Sequence, residues 1–468
     1  MENDNRVLAD FFRIHRSHVT WAGVAAIVIL VAATGAFSAF GMTGPAQIAF
    51  AILIVAAILW ITEAIPLFVT SLLILFLSLV WLQPGLERAG TTVSSSVFTA
   101  PFFSNVILLF LGGFVISTAL NKFQLDEQLA RRILQRTGSS LPRLLLAVMA
   151  ITAFLSMWLS NTAASAMMLA LILPMANSIP EGQPARKGLV LGIPFAANIG
   201  GLGTPIGSPP NAIAMQYLAG VDQAPSFVRW MTIGVPMVLV LIVVAWFLLR
   251  KLFQVKGDLE TKDLTSRKFV PKPGVTVVII GTLITVIGWM TTEWHGLSSG
   301  TIALIPVLLF FGLRLLNVRD FRSLSWDVLF VMGGGLCLGA AMSQSGLADW
   351  VVQQLPIDGV GTYSLAIIVG IAAVSMSSVM SNTATANLLL PIVVGMGIAD
   401  SAPVMIAVAF CCSLAMPLPI STPPNALAFS SGELRVADLI KPGLALTVLG
   451  VFLVFALGWR WWDVVGIF

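Results

Sequence analysis

The tetrapeptide 160-SNTA-163 recurs as 381-SNTA-384, and a proline-rich segment follows each copy, 205-PIGSPPNA-212 in the first half of the chain and 419-PISTPPNA-426 in the second. The earlier segments 111-LGG-113 and 333-GGG-335 also correspond. The chain therefore contains an internal repeat. The polar stretch 250–272 joins its two halves.

The composition indicates a membrane protein. Of the 468 residues, 57% are hydrophobic and 10% charged, whereas soluble domains average about 45–50% and about 25%. Apolar runs of about 20 residues, the length that crosses a bilayer as a helix, recur along the chain. The first, 21–40, could be a signal peptide, but it is long and lacks a convincing cleavage site. We therefore interpret it as a membrane span.

The apolar runs predict an all-α polytopic fold with about eleven transmembrane helices. The predicted spans are 21–42, 47–63, 65–82, 103–121, 188–218, 231–249, 274–293, 300–316, 327–345, 403–432 and 442–461. Polar clusters interrupt two further apolar stretches, 144–180 and 364–398. We predict that each of these is a re-entrant hairpin.

The positions of Lys and Arg support this topology. With a cytoplasmic N-terminus, all of them fall inside except Arg88, Arg229 and Arg460, as expected because cytoplasmic loops collect basic residues. If either interrupted stretch crossed the membrane, the later basic segments would divide between the two sides. Each half then holds five spans and a hairpin, which predicts an inverted repeat, the architecture typical of secondary transporters.

This topology predicts four parts. They are an N-terminal arm and first span (1–46), a first repeat (47–250, with hairpin 144–180 and broken helix 188–218), a cytoplasmic linker (251–273), and a second repeat (274–468, with hairpin 364–398 and broken helix 403–432).

Paired prolines mark two of the spans. Pro209-Pro210 and Pro423-Pro424 remove amide donors within apolar runs, and non-helical backbone at membrane depth must be buried in protein or line a watery cavity. A simple kink is the alternative. Because hydroxyl and amide side chains flank both pairs, we favour discontinuous helices that form a binding site.

The Ser-Asn-Thr clusters are the second site signal, although such a cluster could also be a surface loop. Their oxygens suit a hard cation, while the amide NH2 and the hydroxyl protons can donate to a carboxylate. Nearby helix N-termini would favour an anion. The clusters contain no Lys, Arg or His, so a bound dianion would need sodium ions for charge balance. The pattern predicts sodium cotransport.

These features resemble the divalent-anion/sodium symporter (DASS) family, whose hallmark is one Ser-Asn-Thr motif in each half. The stretch 60-WITEAIP-66 adds to the resemblance. The resemblance implies a homodimer in which transport domains move across the membrane like elevators.

The resemblance also implies site residues. Sodium would be held by Ser156, Ser160, Asn161 and the backbone near Gly207, and by Ser377, Ser381, Asn382 and the backbone near Ser421. Substrate carboxylates would meet Asn161, Thr162, Ser208 and Pro209 on one side and Asn382, Thr383, Thr422 and Pro423 on the other.

The function expected is sodium-coupled import of C4-dicarboxylates such as succinate, malate or fumarate across a bacterial inner membrane. A sodium-independent dicarboxylate exchanger, or a citrate, 2-oxoglutarate or sulfate carrier, remains open. An enzyme is disfavoured because the sequence has no HExxH motif, no Ser/His dyad and no carboxylate pair at the clusters. A channel is disfavoured because broken inverted repeats suit alternating access. We expect no cofactor beyond the coupling sodium, no nucleic-acid partner, and three cysteines that serve as buried packing residues.

Overall fold

The computed structural model of the chain describes residues 23–24, 26–29, 41–180, 182–258, 272–354, 359–398 and 400–467. Within these ranges every extended element is a helix, and the only β-type pairing is an isolated bridge between Ser140 and Asp258. The all-α prediction is confirmed. Most of the predicted first span and of the linker 251–273 lies outside the described residues.

Among the residues that the structure describes, six helices are long and apolar enough to cross a membrane. They are Gly44–Thr62, Leu67–Arg88, Ser96–Lys122, Phe227–Leu252, Trp326–Ser345 and Val436–Val464. The shorter apolar helices are Leu141–Ser156, Asn161–Ala176, Val275–Met290, Ser299–Gly312, Thr362–Ser377, Asn382–Gly395 and Ala402–Ser413. The remaining helices of at least five residues are Leu125–Leu134, Pro184–Gly200, Pro209–Gly220, Val318–Arg322, Leu347–Gln354 and Pro423–Ser430. The chain is a polytopic membrane protein, and the count of eleven spans stays a prediction.

The helix Phe227–Leu252 shows how these elements suit a bilayer. Leu239, Val243 and Phe247 follow one another at four-residue intervals and are each more than half exposed. Leu241 and Ala245, on the same helix, are buried. Because both faces are apolar, one packs against protein while the other can contact lipid.

The described chain divides into two compact units. The first comprises Met1–Ser104, Trp326–Gly361 and Thr383–Ala399, and the second comprises Asn105–Ser325, Thr362–Asn382 and Asp400–Phe468. The three cysteines Cys337, Cys411 and Cys412 are free and buried, which confirms the packing role predicted for them.

The glycine triplet of the second repeat allows close packing inside the first unit. A side chain on Gly334 would overlap Ser71 of the helix Leu67–Leu77, and one on Gly335 would overlap Asn387. The Asn387 amide also donates to the Val331 carbonyl at 2.9 Å. Glycine therefore lets the backbone of the helix Trp326–Ser345 approach both neighbours.

Ion pairs at helix ends hold the second unit together. Lys187, in the first turn of the helix Pro184–Gly200, lies 2.7 Å from Asp438, in the first turn of Val436–Leu453. The neighbouring Arg186 pairs with Glu433. These two pairs tie a helix of the first repeat to one of the second.

Candidate functional site

Two interrupted helices form the centre of the candidate site. In the first broken helix, Pro184–Gly200 is followed by residues 201–208 and then by Pro209–Gly220. In the second, Ala402–Ser413 is followed by residues 414–422 and then by Pro423–Ser430. The paired prolines begin the second segment of each helix, where a missing N–H leaves no bond unmade.

One asparagine side chain stabilises each interruption. The Asn211 amide donates to the carbonyls of Gly201 and Thr204, each at 2.8 Å. In the other half, the Asn425 amide donates to the carbonyls of Met416 and Leu418, each at 3.0 Å. These bonds satisfy backbone groups that a continuous helix would have paired.

The first Ser-Asn-Thr cluster is built around Asn161. One end of its amide faces three oxygens, which are Ser156 Oγ at 2.5 Å, Gly207 O at 3.0 Å and Ala197 O at 3.3 Å. With Nδ2 turned inward, the amide donates to this ring. With Oδ1 turned inward, four oxygens converge, which is the ligand type that a hard cation prefers.

Glycine is required beside this oxygen ring. A side chain on Gly207 would lie 2.6 Å from the carbonyl oxygen of Gly201, and one on Gly201 would lie 2.9 Å from Asn161 Oδ1. Ser160, expected as a sodium ligand, caps the helix Asn161–Ala176 by accepting from the Ala163 amide at 3.2 Å. Its hydroxyl therefore already serves the helix N-terminus.

The second cluster repeats the first with one change. Ser377 Oγ lies 2.6 Å from Asn382 Oδ1 and donates to the Cys412 carbonyl at 2.9 Å, just as Ser156 donates to Ala197 at 2.8 Å. Where the first half has Gly207, the second has Ser421, whose hydroxyl donates to the Ser378 carbonyl at 2.9 Å. The two clusters therefore differ in their backbone contacts. Ser381, also expected to bind sodium, is half-buried.

Crossed contacts join the two broken helices. Ser208 Oγ lies 3.1 Å from Ser413 Oγ, and Asn198 Nδ2 donates to Thr422 Oγ1 at 3.1 Å. All four side chains are buried. The structure thus ties the predicted substrate residues Ser208 and Thr422 to the opposite half.

The remaining predicted substrate residues are more accessible. Thr162 and Pro423 are exposed, whereas Pro209 and Thr383 are half-buried. Thr383 belongs to the first compact unit, and the other predicted site residues belong to the second. Four hydroxyls, two amides and no charged side chain make up this predicted substrate set.

A cavity of about 580 Å³ opens beside the first cluster. Its lining includes Ser160, Ala163 and Ala166 of the hairpin, Ser117 of the helix Asn105–Lys122, and Arg131. Arg131 is paired with Glu127 at 2.8 Å.

The equivalent face of the second repeat is closed. Ala166 is exposed, whereas Asn387, which stands at the same distance after its own Ser-Asn-Thr asparagine, is buried. Ala163 is likewise half-buried where its counterpart Ala384 is fully buried. At both pairs of positions, therefore, the residue of the first Ser-Asn-Thr helix is more accessible than its counterpart in the second.

Sequence comparisons place these features in a known family. The profile of the citrate transporter family (CitMHS) matches residues 57–402. The sodium-dependent dicarboxylate transporter SdcS of Staphylococcus saprophyticus is 34% identical over 435 residues, which span 84% of this chain and 82% of that protein. SdcS of Staphylococcus aureus is 33% identical over 439 residues, with the same coverage. The chain belongs to the citrate transporter family. The resemblance to the divalent-anion/sodium symporters is thereby confirmed.

One further sequence relative and two solved structures are also similar to this citrate transporter family member. An uncharacterised transporter of Schizosaccharomyces pombe, C3B8.04c, is 33% identical over 436 residues, 87% of this chain and 49% of that protein. Neisseria gonorrhoeae MtrF, described among antimetabolite efflux pumps, superposes with a TM-score of 0.54 at 14% identity over 78% of this chain and 83% of its own. Alcanivorax borkumensis YdaH gives 0.52 at 16%, over 82% and 88%. At these identities the two structures show a shared transporter fold.

Several residues at the centre of this citrate transporter family member were not predicted from its sequence. Asn198 and Ser413 bridge the two broken helices, and Asn211 and Asn425 hold their interruptions. The two asparagines of the PPNA segments could have been identified from the sequence, since they recur in both halves. Asn198 and Ser413 could not, because they differ from each other and lie in apolar runs without a motif.

Proposed function

We propose that this transporter imports C4-dicarboxylates, such as succinate, malate and fumarate, together with sodium ions. The observation that carries the proposal is the ring around Asn161, where one amide faces Ser156, Gly207 and Ala197 oxygens in a site without charged side chains. The staphylococcal relatives, which are named sodium-dependent dicarboxylate transporters, support the same substrates.

The Asn161 amide links the two ligands in this proposal. Sodium requires Oδ1 to face the ring, because a cation binds oxygens and repels N–H groups. The same rotation turns Nδ2 away from the ring, where it can donate to a carboxylate. Sodium binding would therefore prepare the donor that the dianion needs. Asn382 beside Ser377 would act in the same way in the second half.

Helix N-termini complete the anion site in this proposal. The helices Asn161–Ala176, Pro209–Gly220 and Pro423–Ser430 all begin at predicted substrate residues, and the positive ends of their helix dipoles favour negative charge. Ser208 and Thr422 add hydroxyl donors. Because these are partial charges, bound sodium supplies the full positive charge that balances a dianion.

The opening on one side supports alternating access. The cavity reaches the first Ser-Asn-Thr helix, and the predicted topology places its rim, with Arg131, on the cytoplasmic side. We propose that this arrangement releases substrate inward and that elevator-like movement in a homodimer exposes the site outward. We further propose a bacterial inner membrane and a cytoplasmic N-terminus.

Uptake of radiolabelled succinate into proteoliposomes tests the proposal. Uptake into empty vesicles that requires an inward sodium gradient, with choline as the control cation, would support it. Uptake that ignores sodium and requires internal dicarboxylate would instead identify an exchanger. If succinate is not taken up in either condition, the C4 assignment is wrong, and citrate, 2-oxoglutarate and sulfate are tested in the same vesicles.

A further inference from the structure

Asn198 contacts the predicted substrate site from the opposite repeat. It lies near the end of the helix Pro184–Gly200 and is 1% exposed. Its Nδ2 donates to Thr422 Oγ1 at 3.1 Å and lies 3.4 Å from Asn425 Oδ1.

The surrounding bonds fix the orientation of the Asn198 amide. Asn425 uses its NH2 group on the carbonyls of Met416 and Leu418, so its Oδ1 is the end that faces Asn198. If Asn198 were rotated, its own carbonyl oxygen would face Asn425 Oδ1 and no proton would lie between them. Asn198 must therefore present its donor to Thr422.

This orientation determines the role of the Thr422 hydroxyl. Thr422 Oγ1 accepts from Asn198 Nδ2 and also from the Asn425 backbone amide, at 3.3 Å. A hydroxyl oxygen has two lone pairs and one proton. Because both lone pairs are used, the proton must be donated to a third group. The Asn198 NH2 group and the Asn425 backbone N–H are themselves donors and cannot accept that proton.

We infer that Asn198 is a positioning residue that commits the Thr422 hydroxyl to donate to one end of the transported anion. The inference rests on the proposed function, since it takes Thr422 to be a substrate residue. It goes beyond that function in stating what this end of the site accepts. The ligand group there is a hydrogen-bond acceptor, as a carboxylate oxygen is.

In the first half of the site, the corresponding hydroxyl is not restricted to donating. Ser413 is the counterpart of Asn198, because each directly follows the residue whose carbonyl accepts from Ser377 or Ser156. Ser413 meets Ser208 through two hydroxyls at 3.1 Å, and either can donate. Ser208 can therefore adjust to an acceptor or a donor, while Thr422 cannot. The two ends of the ligand therefore meet different hydrogen-bonding requirements in the site.

A double-mutant cycle tests the inference in proteoliposomes, with substrate KM, sodium KM and Vmax measured separately. In Asn198→Asp, a carboxylate faces Thr422 and accepts the hydrogen bond of its hydroxyl, so we expect substrate KM to rise about tenfold or more. Asn198→Ala frees the hydroxyl to rotate and should give a smaller rise. Ser413→Ala, the matched control, should change substrate KM less than about threefold because Ser208 keeps its own hydroxyl.

The decisive variants combine each change with Thr422→Val. If Asn198 acts through the Thr422 hydroxyl, Asn198→Ala adds nothing to the rise in substrate KM caused by Thr422→Val, and Asn198→Asp adds much less than it does alone. Sodium-dependent thermal stabilisation of each purified variant shows that it folds and binds sodium. If Asn198→Asp raises substrate KM by the same factor in the Thr422→Val protein as it does alone, its effect comes from the added charge. That result would overturn the inference. Wild-type protein that transports no divalent anion would overturn the proposed function as well.

Discussion

Gly335 lies against the side-chain amide of Asn387 so closely that a methyl group on the glycine would overlap it. Asn387 is buried and donates to the Val331 carbonyl. The contact closes the face of the second Ser-Asn-Thr helix that corresponds to the open cavity of the first repeat.

Gly335→Ala should therefore destabilise the protein. The new methyl group must displace Asn387 or separate two packed helices, which costs about 1–3 kcal/mol for an overpacked core. The measurement is the thermal unfolding temperature of the detergent-solubilised protein. Gly361→Ala is the control, because open space surrounds that glycine. Equal unfolding temperatures for the two variants would contradict the prediction.

Replacement of the motif asparagines separates sodium binding from substrate binding. Asn161→Ala or Asn382→Ala should abolish uptake, because in the proposed site each would remove both an oxygen ligand of sodium and a donor to the substrate. Asn161→Asp keeps an oxygen for the ring but loses the NH2 group. It should still be stabilised by sodium against heat, while uptake falls about tenfold or more.

The control for these variants is Asn177→Ala, whose side chain accepts from Arg186 away from either cluster. Unchanged uptake in both Asn161→Ala and Asn382→Ala would refute the site assignment. Loss of sodium stabilisation in Asn161→Asp would show that the ring does not bind the cation through this oxygen.

Cysteine labelling tests the one-sided opening. Ala163 lines the cavity, whereas its counterpart Ala384 is fully buried. In a background without the three native cysteines, Ala163→Cys should react with a membrane-impermeant thiol reagent supplied from the cytoplasmic side, and Ala384→Cys should react at least about tenfold more slowly. Faster labelling of position 163 from the outside would reverse the predicted topology.

Asp126 should lower stability at neutral pH. Burial raises the pKa of the Asp126 carboxyl above its usual range, although bonds from the Glu127 amide at 2.8 Å and from Asn121 oppose the shift. Because the folded protein then holds this proton more tightly than the unfolded chain, stability falls as pH rises from the unfolded pKa through the raised one. Asp126→Asn should raise the unfolding temperature by roughly 1–3 °C at pH 7.5.

The effect of the same substitution on the unfolding temperature should be smaller near pH 4, because a larger fraction of the Asp126 carboxyl is protonated there than at pH 7.5. Asp320→Asn is the opposing control, since it removes an ion pair with Lys122 at 2.6 Å and should not stabilise at either pH. If Asp126→Asn raised the unfolding temperature equally at both pH values, ionisation of the Asp126 carboxyl would not be the cause.

The sequence predicted the helical class and the places where helices stop. Apolar runs and paired prolines are local signals, so the breaks before Pro209 and Pro423 could be anticipated. The sequence did not show that these prolines begin the next helix segment, because that depends on the residues that satisfy the preceding backbone. Asn211 and Asn425 do so through carbonyls seven to ten positions earlier.

Contacts between distant segments were the part that sequence could not supply. Asn198 meets Thr422 across 224 positions of the chain, and neither an apolar period nor a motif links them. The opening beside Ala166 but not beside Asn387 is also invisible in the sequence, since it depends on how each helix packs. Only the internal repeat of the sequence indicated where the centre of the site lies.

The bridges Ser208 to Ser413 and Asn198 to Thr422 also bear on ligand size. Each fastens the start of one short helix to the other broken helix, so Ser208 and Thr422 are held in a single buried frame. If these two side chains bind the ends of a diacid as proposed, the junction between the repeats would contribute to discrimination between diacids of different chain length.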